Sequence, residues 1–323
     1  GRGGNHDRQY SRLLGAAVTG TGIVEAIAKV IVVLVFPPFL LGVISRTKAR
    51  LSGRVGPPLL QPYYDIIKLF AKDSVLSRTT TWVFLAGPGV ALVGALIAAT
   101  LVPIGDGSAL WAFEGDFIVL AYVLGLSRYF TMAAALDTGS SFEGMGAARE
   151  ATFACLAEPA FILALLAIAR ATGSLSLSGF LGPSLAHVWS VAGASLVLVA
   201  AGLLLVLLAE NSRIPVDDPN THLELTMIHE VMVLDHGGPL LGVILYGAAI
   251  KLFVFGSLLV RIVIPIEHPA WLVWATFLAG LVVVAIVIGV IESAMARLRM
   301  PYVPALLLSG CLFSALAIVL LVR

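Results

Sequence analysis

Apolar residues run in eight stretches of membrane length, and the polar residues collect in the segments between them. The stretches cover about residues 22–44, 82–103, 117–137, 150–170, 188–210, 239–264, 271–290 and 302–322. A hydrocarbon core about 30 Å thick takes roughly 20 helical residues to cross. Lipid leaves no partner for a free backbone group, so spanning segments fold as helices or closed barrels. The pattern predicts an all-α integral membrane protein, one membrane domain over residues 1–323 with about eight transmembrane helices. Gly, Ala and Ser recur inside the stretches, as in GALIAA at 94–99 and AGASLV at 192–197, where they let helices approach closely. Residues 22–44 are too long for the apolar core of a cleaved leader and are expected to be a retained span.

Basic residues orient the spans. Arg46, Lys48, Arg50, Arg54, Lys68, Lys72 and Arg78 crowd residues 45–81, and Arg149, Arg213, Arg297 and Arg299 fall on the same side. The opposite connections near 104–116, 171–187 and 265–270 hold no Lys or Arg. By the positive-inside rule, 45–81 and 211–238 are cytoplasmic segments of a multi-pass protein of the inner or cytoplasmic membrane. Both termini then lie outside, against the pull of Arg2, Arg8 and Arg12. Within 45–81, the run RVGPPLLQPYYDIIKLFAKD opens on turn residues and continues into a short helix, with Ile66, Ile67, Leu69 and Phe70 apolar. Two readings stand for it: a helix lying in the interface, or a docking platform for a soluble partner. Asp65 can pair with Lys68 or Lys72.

Composition narrows the chemistry. With 59% hydrophobic and 12% charged residues, the chain has too little charge for a soluble surface. A net charge of +1 without a basic tract argues against nucleic acid. Cys155 and Cys311 lie alone in apolar runs, so they are expected to be buried small hydrophobes rather than cluster ligands. No dinucleotide glycine motif or phosphate loop occurs, so no cofactor is expected on this chain.

Against that background the acidic residues stand out, because a carboxylate near hydrocarbon is costly and usually faces a protein interior or a water path. The acidic loop-helix segment 137–158 carries Glu143 ahead of a membrane helix, then Glu150 and Glu158 eight residues apart on nearly one helical face. Arg149 is placed to anchor a neighbouring carboxylate, and Pro159 to kink the helix. The loop 211–238 holds Asp217, Asp218, Glu224, Glu230 and Asp235, with a helix expected to begin near Thr221. Glu224 and Glu230 are six apart and do not share a helical face. His222, His229 and His236 recur every seven residues and share a face if that helix continues. His229-Glu230 lacks the second histidine of a zinc-protease motif, which leaves hydrogen bonding or a proton network. Arg128 and Lys251 interrupt apolar spans and can neutralise membrane carboxylates, as can Arg213 beside the second loop. Glu25 and Lys29 form an i,i+4 pair, while Glu210 and Glu292 sit near helix ends, which leaves partial solvation open to them. Ion pairing alone accounts for the acids as readily as proton handling does.

Two runs carry a family resemblance. The first is Arg54-Val55-Gly56-Pro57 followed by Leu60-Gln61-Pro62, Asp65, Lys68-Leu69 and Lys72; the second is Asn211 through Asp235. With them the chain resembles the eight-helix membrane-anchor subunits of respiratory complex I and their counterparts in membrane-bound nickel–iron hydrogenases. SSFEGMGAARE and THLELTMIHEVMVLDHGGP are more similar to formate-hydrogenlyase-type subunit 4 than to the respiratory AESELVAGYNTEYSG pattern. The resemblance implies a noncatalytic anchor and ion-translocation coupling subunit at the heel of an oxidoreductase complex. Its partners would be hydrogenase-like large and small subunits, an iron–sulfur subunit, antiporter-like membrane subunits and lipid. Iron–sulfur clusters and the nickel–iron centre would sit in those partners. Arg54, Gln61, Asp65, Lys68 and Lys72 would dock the soluble arm, and Glu143, Glu150, Glu158, Asp217, Glu224, Glu230 and Asp235 would form the coupling path. Two alternatives remain open: the membrane-anchor subunit of an NADH- or other donor-dependent quinone oxidoreductase, with a bound quinone, and a standalone transporter or anchor.

Overall fold

The computed structural model describes residues 20–105, 108–217, 228–265 and 269–322. Glu224, Asp218 and His222 lie outside them. The described residues form α1 (Gly20–Leu51), α2 (Gln61–Phe70), α3 (Trp82–Leu101), α4 (Asp116–Asp137), α5 (Ser141–Thr172) and α6 (Leu177–Phe180). They continue as α7 (Ser184–Glu210), α8 (His229–Met232), α9 (Gly238–Val263), α10 (Ala270–Ala294), a 3₁₀ turn (Met300–Tyr302) and α11 (Val303–Val322). Eight of these helices are long and apolar enough to span a membrane. The chain is an all-α, multi-pass membrane protein.

α9 is the hub. About 72% of its apolar window is buried, because Leu252 through Ile262 are apolar nearly all round and are enclosed by protein. It packs on α1, α2, α3, α7 and α10, while α4 bridges α3 and α5, and α11 closes against α5 and α7. Peripheral spans keep one apolar face outward, as Ile23, Ile27, Ile31 and Leu34 do on α1. Small residues set the spacing, as expected: a Cβ on Gly94 would lie 1.9 Å from the Ser127 hydroxyl of α4.

Two spans are longer than their hydropathy indicates. α1 runs on to Leu51 through Pro37 and Pro38. Pro38 has no N–H to donate, so the Leu34 carbonyl loses its helical partner. The Tyr246 hydroxyl of α9 donates to that oxygen at 2.7 Å, and the Tyr63 hydroxyl of α2 donates to Val35 O. The Tyr63 bond seats α2 against α1, where a Cβ on Gly42 would meet Leu59 O at 2.0 Å. α5 begins at Ser141, so Glu143 lies in its first turn rather than ahead of the helix. Near the other ends of the spans, buried Asp116 accepts from Leu177 N–H at 2.6 Å and the Ser176 hydroxyl at 2.9 Å. There Arg261 donates to Gly105 O at 2.6 Å.

Candidate functional site

Arg128 lies on the face of α4 that also carries Leu120 and Leu124, all three buried, so the helical register aims its guanidinium inward. A lone buried cation would be prohibitive, and three carboxylates converge on it. Arg128 Nη1 lies 2.5 Å from Glu158 Oε1, Nε lies 3.3 Å from Glu150 Oε1, and Nη2 pairs with Glu210. Glu150 and Glu158 reach one cation because they stand two turns apart on α5, the shared face their spacing predicts. The second oxygen of Glu210 holds Lys251 Nζ of α9 at 2.8 Å. Four helices thus meet at three acids and two bases, a surplus of one negative charge when all are ionised.

A second group forms where α1, α7 and α10 end. The Glu292 carboxylate is fully buried and held by Lys48 at 2.9 Å and Arg213 at 3.3 Å. Glu210 and Glu292 are therefore not partly solvated, as their helix-end positions allow; each is sheathed by two cations. Asp217 pairs with Arg297 at 3.0 Å and accepts the Ile228 and His229 N–H groups at 3.1 Å each. It thereby caps the short α8, a role the carboxylate suits because those N–H groups have no helical partner.

Between the groups the chain leaves α7 by an unusual route. Ser212 takes the left-handed conformation at φ 50, and Arg213 N–H reaches back to Leu208 O at 2.8 Å. This Schellman-type ending usually takes glycine. A non-glycine residue there marks local strain of the kind found at functional sites. Ser212 borders two cavities. A small one of about 90 Å³ touches Arg128, Glu150, Glu210 and Lys251. A larger one of about 580 Å³ opens among α1, α2, α9 and α10 and meets Lys48, Asp65, Arg213, Glu230 and Glu292. Asn211, Ser212, His229, Ile244 and Ala248 wall both. On another face, a mostly apolar cleft of about 650 Å³ between α4 and α5 reaches Arg128, Glu158 and Glu210.

The other sequence candidates fall elsewhere. Glu143 is buried and accepts from Asp235 N–H at 3.1 Å, so it pins the segment before α9 instead of joining the Arg128 group. Asp235 is exposed and Arg149 half-buried. Asp65 accepts from Gln61 at 2.8 Å, while Arg54, Lys68 and Lys72 are exposed around α2. His229 and His236 do not share a helical face, and His222 lies outside the described residues. α8 ends at Met232, and His236 instead stacks on Phe84 with centroids 4.0 Å apart. Burial pushes the His236 imidazole below its ordinary pKa. Cys155 is exposed and Cys311 half-buried, against the expectation that both are buried. Glu25 and Lys29 do pair, at 2.6 Å. Sequence reasoning missed Glu210 and Glu292 as pairing centres, Lys48 as a partner, and Asn211 and Ser212 as cavity walls. The signal available was the charge left at the ends of otherwise apolar spans.

This arrangement defines a class: a multi-pass membrane subunit with a paired charge network inside its helices and a polar cavity at one end. Residues 24–323 match the family model described as NADH dehydrogenase. Formate hydrogenlyase subunit 4 of Escherichia coli K12 is 31% identical over 92% of this chain and 98% of that relative. Hydrogenase-4 component C of the same strain is 32% identical over 86% and 89%. The H subunit of the NADH-quinone oxidoreductase of Rubrobacter xylanophilus is 30% identical over 54% and 53%. A chain of the membrane-bound sulfane sulfur reductase, an archaeal respiratory membrane complex, superimposes with TM-score 0.78 at 20% identity, covering 93% of this chain and 99% of that one. The chain belongs to the NADH dehydrogenase family.

Proposed function

We propose that this chain is the membrane anchor and ion-translocation coupling subunit of a formate-hydrogenlyase-like or hydrogenase-4-like redox complex. The two long relatives supply the type of complex. The network in which Arg128 and Lys251 hold Glu150, Glu158 and Glu210 supplies the mechanism, and it is the observation that carries the reading. Three acids facing two bases leave one carboxylate charge uncompensated, so the group is electrostatically poised to take up one cation. A change of charge in an attached redox arm would alter how tightly that cation is held.

The arm would consist of hydrogenase-like large and small subunits and an iron–sulfur subunit, which carry the metal centres. It would dock on the end bearing Arg54, Gln61, Asp65, Lys68 and Lys72, the end that the positive-inside rule predicts to be cytoplasmic. Antiporter-like subunits would flank the spans. Glu150 is the carboxylate to test. Its ion pair among the described residues is with Arg128 at 3.3 Å, whereas Glu210 has two cations. In the intact complex, E150Q should assemble normally but lower the protons moved per turnover several-fold. Unchanged stoichiometry in both E150Q and E210Q would refute the coupling role. Nickel content and donor-dependent hydrogen production of the purified complex test the type of complex.

The 580 Å³ cavity favours a second reading, as the membrane-anchor subunit of a quinone oxidoreductase. Its volume suits a small ligand, and Leu41, Ile44, Pro57 and Ile66 make part of its wall apolar. A quinone analogue that shields S45C from a maleimide would support it.

A further inference from the structure

His229 stands at the partition between the two cavities. The larger cavity meets the chain surface beside α2, where its charged wall is Lys48, Asp65, Arg213, Glu230 and Glu292. The smaller touches the Arg128, Glu150, Glu210 and Lys251 group. Five residues face both: Asn211, Ser212, His229, Ile244 and Ala248. Ile244 and Ala248 carry no polar side-chain atom. Asn211 and Ser212 exchange hydrogen bonds but do not hold an added proton near neutral pH. Only the imidazole does both. Its position is fixed from behind, since its backbone N–H donates to Asp217 at 3.1 Å and α8 packs on α5.

We propose that His229 is the proton relay that connects the outer cavity to the Arg128–Glu150–Glu210–Lys251 group. One ring nitrogen takes a proton from water in the outer cavity while the other releases one inward, directly or through a water, to Glu150. The ring ends neutral, in the other tautomer, and resets by exchanging it. Glu150 is the acceptor, because Glu210 is committed to Arg128 and Lys251. The relay rests on the coupling function proposed above.

The test is made on the intact complex in inverted membrane vesicles, measuring donor-driven proton transfer from pH 5.5 to 8.5. H229N keeps a polar side chain but cannot relay. It should slow transfer on the order of 10²-fold, the usual scale for a lost proton-transfer group. Imidazole added to the medium should restore much of the H229N rate, and should not raise the rate of wild type or E150Q. H229Q is the second variant, and native gels report assembly. Wild-type rate and pH profile in H229N, absent rescue in an assembled variant, or equal stimulation of E150Q would each overturn the relay. Failure of both variants to assemble would overturn it too, in favour of a structural role. A normal H229N beside a defective E150Q removes the relay alone; normal E150Q and E210Q remove the coupling function itself.

Discussion

At the scale of single residues, the energetics of this protein centre on Arg128. Desolvating an ion costs several kcal/mol, offset here only because three carboxylates surround the guanidinium. Removing the cation takes this partner from Glu150 and Glu158 and leaves Glu210 with Lys251 alone, so R128Q should cost about 3–5 kcal/mol, seen as a lower unfolding temperature in detergent. Combining it with E210Q should recover part of that loss, because the two residues are directly coupled. His236 supplies a pH dependence of known sign. Its folded pKa is pushed down by burial, so the unfolded state binds the proton more readily. Stability should fall as pH drops below about 6.5, the unfolded value, with no contribution above it. H236F retains the stack on Phe84 and should flatten the stability profile between roughly pH 6.5 and 5.

At the scale of elements, helix termini and close helix approaches carry the constraints. The left-handed Ser212 ends α7 and brings Arg213 back toward Glu292. A β-branched residue cannot take that conformation cheaply, so S212V should destabilise by about 1–2 kcal/mol and S212G should not, as thermal unfolding would report. Between α3 and α4, G94A should overpack the interface by about 1–3 kcal/mol. S127A should relieve part of it, since the severest clash is with the hydroxyl, while the Ser127 Cβ and Val123 O remain 3.3 Å away. The element-level reading of the sequence succeeded for span number and for the Glu150/Glu158 face, because both follow from periodicity within one helix. For the histidines its condition is not met between His229 and His236. Spacing by seven presumes a continuous helix, and α8 has only four residues.

At the scale of the whole molecule, the segments 52–81, 211–217, 228–237 and 295–302 gather at one end of the spans, where the 580 Å³ cavity opens. The basic residues predict that this end faces the cytoplasm. With the native cysteines replaced, S52C should react with an impermeant maleimide only in inside-out vesicles. A112C, exposed between α3 and α4, should react only in right-side-out ones. The reverse pattern would invert the orientation.

Hydropathy alone was enough to predict an all-helical membrane protein with eight spans, and periodicity the shared face of Glu150 and Glu158. Transfer of each side chain to lipid is a local property, and it leaves its mark along the chain. Partner choice is not local. Arg128 meets Glu210 across 82 positions and Arg213 meets Glu292 across 79, so only the packing of α4, α5, α7, α9 and α10 decides which charges neutralise which. The same packing buried the helix-end acids, lent Tyr246 to the carbonyl that Pro38 leaves free, and set His229 in the wall between two cavities.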